Sequence, residues 1–253
     1  AQANGAGSVA ATGTARTKAS ATARASAVAA TGTAQASATA VANATATANV
    51  RATATASAYP IPTYILLSAK GTLLLSDPLQ DNSKGYGWSN SGSCQFTSGT
   101  YHASTPGQLA YCNGSASNVS HLNNIIIEVQ MTIVRGDCGG IVFRANPASN
   151  SYYAFEVCQD GSYTLSSYAN NQVSGGQAMM SNTSTSIKKG YNQTNVLDVV
   201  ANGREIALYV NGQWIPGTND TTYTSGGIGV LADAVHGHGT DVAYSNLKVW
   251  TLA

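Results

Sequence analysis

The chain has 253 residues, of which only 9% are charged, and its formal net charge is +1. An average soluble domain has about 25% charged residues, so we expect a surface dominated by Ser, Thr, Asn, Gln and Gly. The near-neutral charge gives no reason to expect a nucleic-acid partner, and no stretch reaches the roughly 18 apolar residues of a membrane helix. Such surfaces are common in secreted β proteins, and they suit self-association because few charges must be desolvated.

Residues 1–58 form a repetitive segment with 25 alanines, 16 Ser or Thr residues and no acidic residue. The sequence VAATGTA at Val9 returns at Val28, and alanine occupies every second position over long stretches, which is the period of a β-strand. A helix is disfavoured because this spacing produces no apolar stripe, while a disordered or glycosylated stalk is the usual interpretation of low complexity. We favour extended β structure that gains order by packing against another copy of the chain.

The composition changes after this segment. Residues 59–71 contain Pro60 and Pro62 and are interpreted as a linker. Residues 72–253 alternate between short runs rich in β-branched or aromatic residues and turn sequences, which predicts strands. Asn202-Gly203 and Asn211-Gly212 lie between apolar runs and predict type I′ hairpins. About twelve strands and no convincing helix predict an all-β, two-sheet sandwich.

The four cysteines lie in the C-terminal region, and none forms the closely spaced pairs of a zinc or redox motif. Folding the sequence symmetrically about Ala148 places Cys138 opposite Cys158, and the same operation brings Cys94 opposite Cys112. We therefore predict two disulfides that pair the cysteines in sequential order. Disulfides indicate an extracellular or cell-surface protein.

Three stretches of the C-terminal region, LDVVANGREIALYVNGQWI, SGGIGVLA and DVAYSNLKVWTL, resemble the C-terminal half of concanavalin A-like jelly rolls of the laminin-G and glucanase-related type. DPLQDNSKGYGW and GDCGGIVFR are similar to the extracellular sensor-type sandwich domains of bacteria. The resemblance covers residues of about 72–253. It implies a jelly-roll β-sandwich and a repertoire of sugar binding, glycoside hydrolysis and adhesion.

The resemblance also implies where a catalytic motif would lie. The glucanase branch carries its two carboxylates on one strand as E-x-D-x-x-E. Here the stretch that begins at Glu128 has Gln130 and Ile133 at the other two positions, and the remaining glutamates are Glu156 and Glu205. We therefore expect no enzymatic activity, with acid pairs assembled from different strands as the remaining alternative.

Sugar binding needs a flat aromatic ring and polar partners for hydroxyl groups. The candidate carbohydrate-binding residues are Tyr86, Trp88, Tyr101 and Trp214. Each has a structural alternative: Trp88 is equally expected to cap the core, and Trp214 could belong to either class.

The stretch DAVHGHGTD raises the possibility of a metal site, because His236 and His238 share a face in extended structure and Asp233 and Asp241 flank them. Its glycines favour an exposed loop instead. We expect no cofactor, with calcium held by Asp233 and Asp241 as the alternative.

These observations lead to three hypotheses. The first is a non-catalytic extracellular structural protein, a subunit of a surface filament or layer that assembles with copies of itself through residues 1–58. The second is a carbohydrate-binding or adhesion module on a stalk, with polysaccharide as its partner. The third is a glycoside hydrolase. The repeat, the low charge and the predicted disulfides favour the first.

Overall fold

The computed structural model of the chain describes residues 71–169 and 176–252. The predicted assembly segment, residues 1–58, and the linker residues 59–70 lie outside these ranges, so the conformation and role of both stay predictions. Within the described residues no helix has the length and hydropathy of a membrane span.

Fourteen strands and one three-residue 3₁₀ turn, Ser117–Val119, are present in the described ranges, which is two strands more than the sequence indicated. The all-β prediction is confirmed. The strands are β1 (Thr72–Asp77), β2 (Cys94–Thr97), β3 (Thr100–Thr105), β4 (Ala110–Asn113), β5 (Ile125–Arg135), β6 (Cys138–Asn146), β7 (Ser151–Cys158), β8 (Ser162–Tyr168), β9 (Gln177–Thr183), β10 (Thr194–Asn202), β11 (Glu205–Val210), β12 (Gln213–Asn219), β13 (Gly227–Asp233) and β14 (Thr240–Thr251).

The strands form two antiparallel sheets. The eight-stranded sheet has the order β12-β11-β10-β5-β14-β3-β2, and β1 also pairs with β14. The six-stranded sheet has the order β4-β13-β6-β7-β8-β9. The sheets form a sandwich, because alternate residues of both point inward and fill one core.

The period of two decides which side chains enter this core. On β7, for example, Tyr153, Phe155 and Val157 are buried between the sheets, while Tyr152 and Glu156 point to the other face. The inner residues of the eight-stranded sheet, among them Leu197 and Val199 on β10, meet them from the opposite side. Each sheet therefore also has an outer face, and these outer faces carry the chemistry considered below.

The two Asn-Gly sequences form turns of different kinds. Asn211 and Gly212 both have positive φ, 52° and 75°, as the predicted type I′ hairpin between β11 and β12 requires. In the hairpin between β10 and β11, however, Asn202 still pairs with Glu205. The turn residues there are Gly203 and Arg204, and of the two only Gly203 has a positive φ.

The structure contains both predicted disulfides. Cys138 lies directly opposite Cys158 on β6 and β7, in the predicted register. Cys94 and Cys112 are also bonded, although they do not face each other in one hairpin. Cys94 is on β2 of the eight-stranded sheet and Cys112 is on β4 of the six-stranded sheet, so this bond joins the two layers of the sandwich. By loop-closure entropy each bond stabilises the domain by about 3 kcal/mol.

A buried arginine ties together the loops at one end of the sandwich. Arg144 is 1% exposed and its backbone has a φ of 50°, at a β-bulge in β6. Its guanidinium donates to the carbonyl oxygens of Asn123, Gly203 and Tyr223 at 2.9–3.3 Å. Burial lowers the pKa of Arg144, but a guanidinium keeps its charge in proteins. The bonds to three separate loops are therefore charge-assisted.

Candidate functional site

The outer face of the six-stranded sheet carries a row of three tyrosines. Tyr111 on β4, Tyr152 on β7 and Tyr168 on β8 all point away from the core. The ring centroids of Tyr111 and Tyr152 are 5.5 Å apart and those of Tyr152 and Tyr168 are 4.7 Å apart, with interplanar angles of 28° and 13°. Both pairs are therefore stacked, and the row crosses the sheet from β4 to β8.

The row exists because the residues beneath it are small. Tyr111 and Tyr152 lie on strands separated by β13 and β6, so their rings must lean over those strands to meet. Gly229 on β13 allows this, since a Cβ atom at that position would lie 2.3 Å from Cε2 of Tyr111. At the other end Gly176 packs against the ring of Tyr168, where a Cβ would lie 2.5 Å from Cζ.

Two carboxyl groups lie beside the tyrosines. Glu156 on β7 is 5% exposed, accepts a hydrogen bond from the Tyr168 hydroxyl at 3.2 Å, and is hydrogen-bonded to the carboxyl of Asp233 on β13. Gly140 lies opposite Glu156 and Cys138 lies opposite Asp233 in register, so the two carboxyls meet across β6. We call Tyr111, Tyr152, Tyr168, Glu156 and Asp233 the tyrosine face.

The carboxyl pair must hold a proton, because two carboxylates have no hydrogen to share. Burial is the main cause of the raised pKa of Glu156, and the charge of Asp233 is the second cause. Burial also raises the pKa of Asp233, and the nearby Asp137 adds to this effect. At neutral pH the pair therefore offers both a hydrogen-bond donor and acceptors, which is the combination that a sugar hydroxyl uses.

The spacing of this pair argues against glycoside hydrolysis at the tyrosine face. Retaining glycosidases hold their two carboxyls about 5–5.5 Å apart and inverting enzymes hold them farther apart. Glu156 and Asp233 are in hydrogen-bond contact, so no room for a glycosidic bond or a water remains between them. Glu128 lies on the other sheet, where its Oε1 accepts a hydrogen bond from Lys248 Nζ at 2.8 Å.

The structure places the four sequence-predicted sugar-binding residues apart from the tyrosine face. Trp88 and Tyr101 are inside the core, 2% and 0% exposed; Trp88 donates to Asp77 at 2.9 Å and Tyr101 donates to the Ser89 carbonyl at 2.7 Å. Core packing, the alternative considered for Trp88, therefore accounts for both rings. Tyr86 is half-buried against the same core. Trp214 is 62% exposed on β12, at the edge of the eight-stranded sheet.

The predicted metal-binding residues are not brought together. Asp233 belongs to the tyrosine face, whereas Asp241 on β14 of the eight-stranded sheet contacts His102 at 2.8 Å. His236 contacts Asp137 at 3.2 Å, and His238 is exposed in the same loop. Across residues 71–169 and 176–252, no group of three or more His, Cys, Asp or Glu side chains is arranged to hold a metal ion.

The sequence interpretation missed the tyrosines and gave Glu156 no role beyond being one of three glutamates. A signal was present in SYYAFEVC, where the period of two places Tyr152 and Glu156 on one face and Tyr153 and Phe155 on the other. Nothing in that pattern decides which face is the core, since both faces carry an aromatic residue. Tyr111 and Asp233 come from strands distant in sequence, so only the sheet order brings them to the same face.

No protein-family model and no curated protein matches the sequence. Among solved structures, the carbohydrate-binding module CBM66 from Bacillus subtilis is similar, with a TM-score of 0.55 and 15% identity over 65% of this chain and 96% of that one. A Bacillus subtilis protein of unknown function with a galectin-like fold has a TM-score of 0.54 and 14% identity over 72% and 97% of the chains.

A third structure is an enzyme, the GlcNAcα1-4Gal-releasing endo-β-galactosidase from Clostridium perfringens. Its TM-score is 0.50 and its identity 9%, over 72% of this chain and 63% of that one. At such identities the likeness concerns the fold. The described domain is a jelly-roll β-sandwich of the galectin-like and concanavalin A-like type, which confirms the fold that the C-terminal stretches implied.

Proposed function

We propose that this domain is a non-catalytic carbohydrate-binding module whose ligand lies on the tyrosine face. The observation that carries the proposal is the stacked row Tyr111–Tyr152–Tyr168 beside the proton-sharing pair Glu156–Asp233. Aromatic rings bind the apolar faces of sugars, and a carboxyl pair that both donates and accepts hydrogen bonds serves their hydroxyls. Tyr111 and Asp233 are half-buried, so they form the accessible part of the face.

Two further observations support this proposal. Similar folds occur both in a carbohydrate-binding module and in a sugar-cleaving enzyme, and the contact between Glu156 and Asp233 favours binding over cleavage. Two disulfides support an extracellular location, where polysaccharides are available as ligands. The filament or surface-layer hypothesis depends on residues 1–58 and stays a prediction from the sequence.

Calorimetric titration of the full chain with ligands selected on a glycan array tests the proposal. Tyr111→Ala removes the exposed end of the row and is expected to weaken binding at least about tenfold, the equivalent of one lost stacking contact. Asp233→Asn keeps the shape of the side chain but removes the ionisable carboxyl, and a comparable loss is expected. With neutral glycans as ligands, Trp214→Ala is the matched control, because it removes an exposed aromatic residue from the other sheet.

The outcomes separate the possible surfaces. Loss of binding in Trp214→Ala with full binding in Tyr111→Ala would move the site to the eight-stranded sheet and refute the proposal. Failure of every glycan to bind would refute the function itself. Release of reducing ends from a bound glycan, abolished by Glu156→Gln, would show that the module is an enzyme.

A further inference from the structure

The outer face of the eight-stranded sheet contains a buried carboxyl group that has no hydrogen-bond partner in the part of the chain that the structure describes. Asp198 on β10 points away from the core, since its neighbours Leu197 and Val199 fill the space between the sheets. It is 0% exposed, and among residues 71–169 and 176–252 neither carboxyl oxygen has a hydrogen-bond partner. Buried polar groups are almost always hydrogen-bonded, and one that is not destabilises the fold, so its presence calls for a physical account.

The register of five strands places this carboxyl in a row of polar and aromatic residues. Across β14, β5, β10, β11 and β12, consecutive partners are Lys248, Glu128, Asp198, Tyr209 and Trp214. Strands in a sheet are about 4.8 Å apart, so the row spans roughly 19 Å. Its two ends are accessible, with the Lys248 side chain 43% exposed and Trp214 62% exposed.

Asp198 is the carboxyl group of the row to which no cation is bound. Burial, together with a smaller effect of the Glu128 charge and against the opposing charge of Lys248, raises the pKa of Asp198 to about 8. The ammonium of Lys248 is bound to Glu128 at 2.8 Å, which leaves Asp198 without a charged partner. Tyr209 and Trp214 continue the row on the other side, and aromatic faces attract cations.

We infer that this row is a binding site for an organic cation, an alkylammonium or guanidinium group that takes Asp198 as its counter-ion. The ligand's N–H groups would donate to the two unpartnered oxygens, and its charge would be stabilised by both carboxylates of the row. The carrier of the cation could be an amino sugar or the Lys or Arg side chain of a peptide, since both present the same group. A divalent metal is a poorer fit, because the row supplies two carboxylates and already holds an ammonium.

Binding of a cation should expel a proton. Asp198 is protonated at pH 7 when its surroundings hold its pKa near 8, and it must ionise to pair with an ammonium. Protein that binds the ligand at pH 7 should therefore release close to one proton per site. This readout distinguishes pairing with Asp198 from loose attraction to surface carboxylates, which are already ionised.

The test is calorimetric titration of the full chain with n-butylammonium chloride at pH 7, in phosphate and in MOPS, two buffers without a net positive charge whose different ionisation enthalpies reveal proton release. Saturable binding with about one proton released is expected. Asp198→Asn should lower the affinity at least tenfold without lowering the melting temperature, because the amide fills the same space. Glu205→Gln, an exposed carboxylate on the same outer face, is the matched control and should bind as the parent does.

Further titrations identify the kind of molecule that carries the cation and define the results that would contradict the inference. A glucosamine trimer and a Lys-containing pentapeptide are titrated in the same way, and n-butanol and calcium chloride replace the cation in turn. The inference is overturned if butylammonium, the trimer and the peptide all fail to saturate, if butanol or calcium competes equally well, or if Asp198→Asn binds unchanged. Lys248→Met removes the resident ammonium and should strengthen binding; a tenfold weakening would overturn the inference, because the loss of a competing cation cannot weaken a cation site.

Discussion

The unpartnered carboxyl of Asp198 predicts a specific dependence of stability on pH. In the unfolded chain its pKa is the ordinary 3.8, whereas in the folded domain burial and Glu128 raise it to about 8. Between these values the folded state holds one proton that the unfolded state has lost. The contribution of Asp198 to stability should therefore be fully present below about pH 4 and fall as the pH rises towards 8.

The magnitude follows from proton linkage. One proton bound only in the folded state changes the free energy of unfolding by roughly 1.4 kcal/mol per pH unit, so the fall attributable to Asp198 between pH 5 and pH 7 is about 2.7 kcal/mol. The pair Glu156–Asp233 adds to the fall in the same direction, because burial raises both pKa values. The total slope of the parent protein therefore does not isolate Asp198.

Asp198→Asn isolates the contribution. Urea unfolding of the parent and the variant is measured at pH 5, 6 and 7 with the disulfides intact, and the difference between their free energies of unfolding is plotted against pH. The other titrating groups cancel in this difference, since they are common to both proteins. The variant should gain about 2.7 kcal/mol relative to the parent from pH 5 to pH 7. A difference that stays constant within about 0.5 kcal/mol would refute the reasoning, because Asp198 would then titrate normally.

Two further predictions concern groups that hold the sandwich together. Arg144→Met keeps the methylene packing but leaves the carbonyls of three loops without their donor. We therefore expect the free energy of unfolding, measured in urea titrations, to fall by about 3 kcal/mol. Arg204→Met, which replaces an exposed arginine, is the control and should change the free energy of unfolding by less than about 0.5 kcal/mol. The double variant Cys138→Ala, Cys158→Ala should lose about 3 kcal/mol through loop entropy. A loss below about 1 kcal/mol in either case would contradict its assigned role.

The fold could be predicted because its signals are local. Strand periods, the Asn211-Gly212 turn and the symmetric spacing of Cys138 and Cys158 all act within one hairpin, and the structure bears them out, whereas the predicted type I′ turn at Asn202-Gly203 is wrong. The prediction for Cys94 and Cys112 gave the correct bond but the wrong geometry. A single hairpin was assumed, whereas β2 pairs with β3 and the bond crosses between the sheets. The predicted bond is nevertheless present, because a disulfide requires only that the two thiols lie close in space, whether or not their strands pair.

The candidate site could not be predicted in the same way, because it depends on sheet order. Tyr111 meets Tyr152 across the two intervening strands, β13 and β6, because its ring leans over Gly229 of β13. The aromatic residues chosen from the sequence, Trp88 and Tyr101, were conspicuous for their size and for the Gly-rich loops nearby. Size is also what makes such residues effective in a core, and both are buried there.

The placement of acidic residues links the two outer faces. Only 11 of 253 residues are acidic, yet Asp77, Asp137, Glu156 and Asp198 are buried. Asp77 accepts hydrogen bonds from Leu79 and Trp88, Asp137 accepts one from the backbone of His236, and Glu156 has its partners on the tyrosine face.

Three of these buried acids thus have partners that balance their desolvation, which leaves Asp198 as the exception. A residue that destabilises the folded state without forming a hydrogen bond is expected where function, not stability, determines the side chain. If Asp198→Asn raises stability at pH 7 and also abolishes cation binding, both results have one cause: the carboxyl is kept without a partner so that a ligand can supply one. If the variant is more stable and binds the cation unchanged, Asp198 is only a destabilising residue, and the tyrosine face remains the single candidate site.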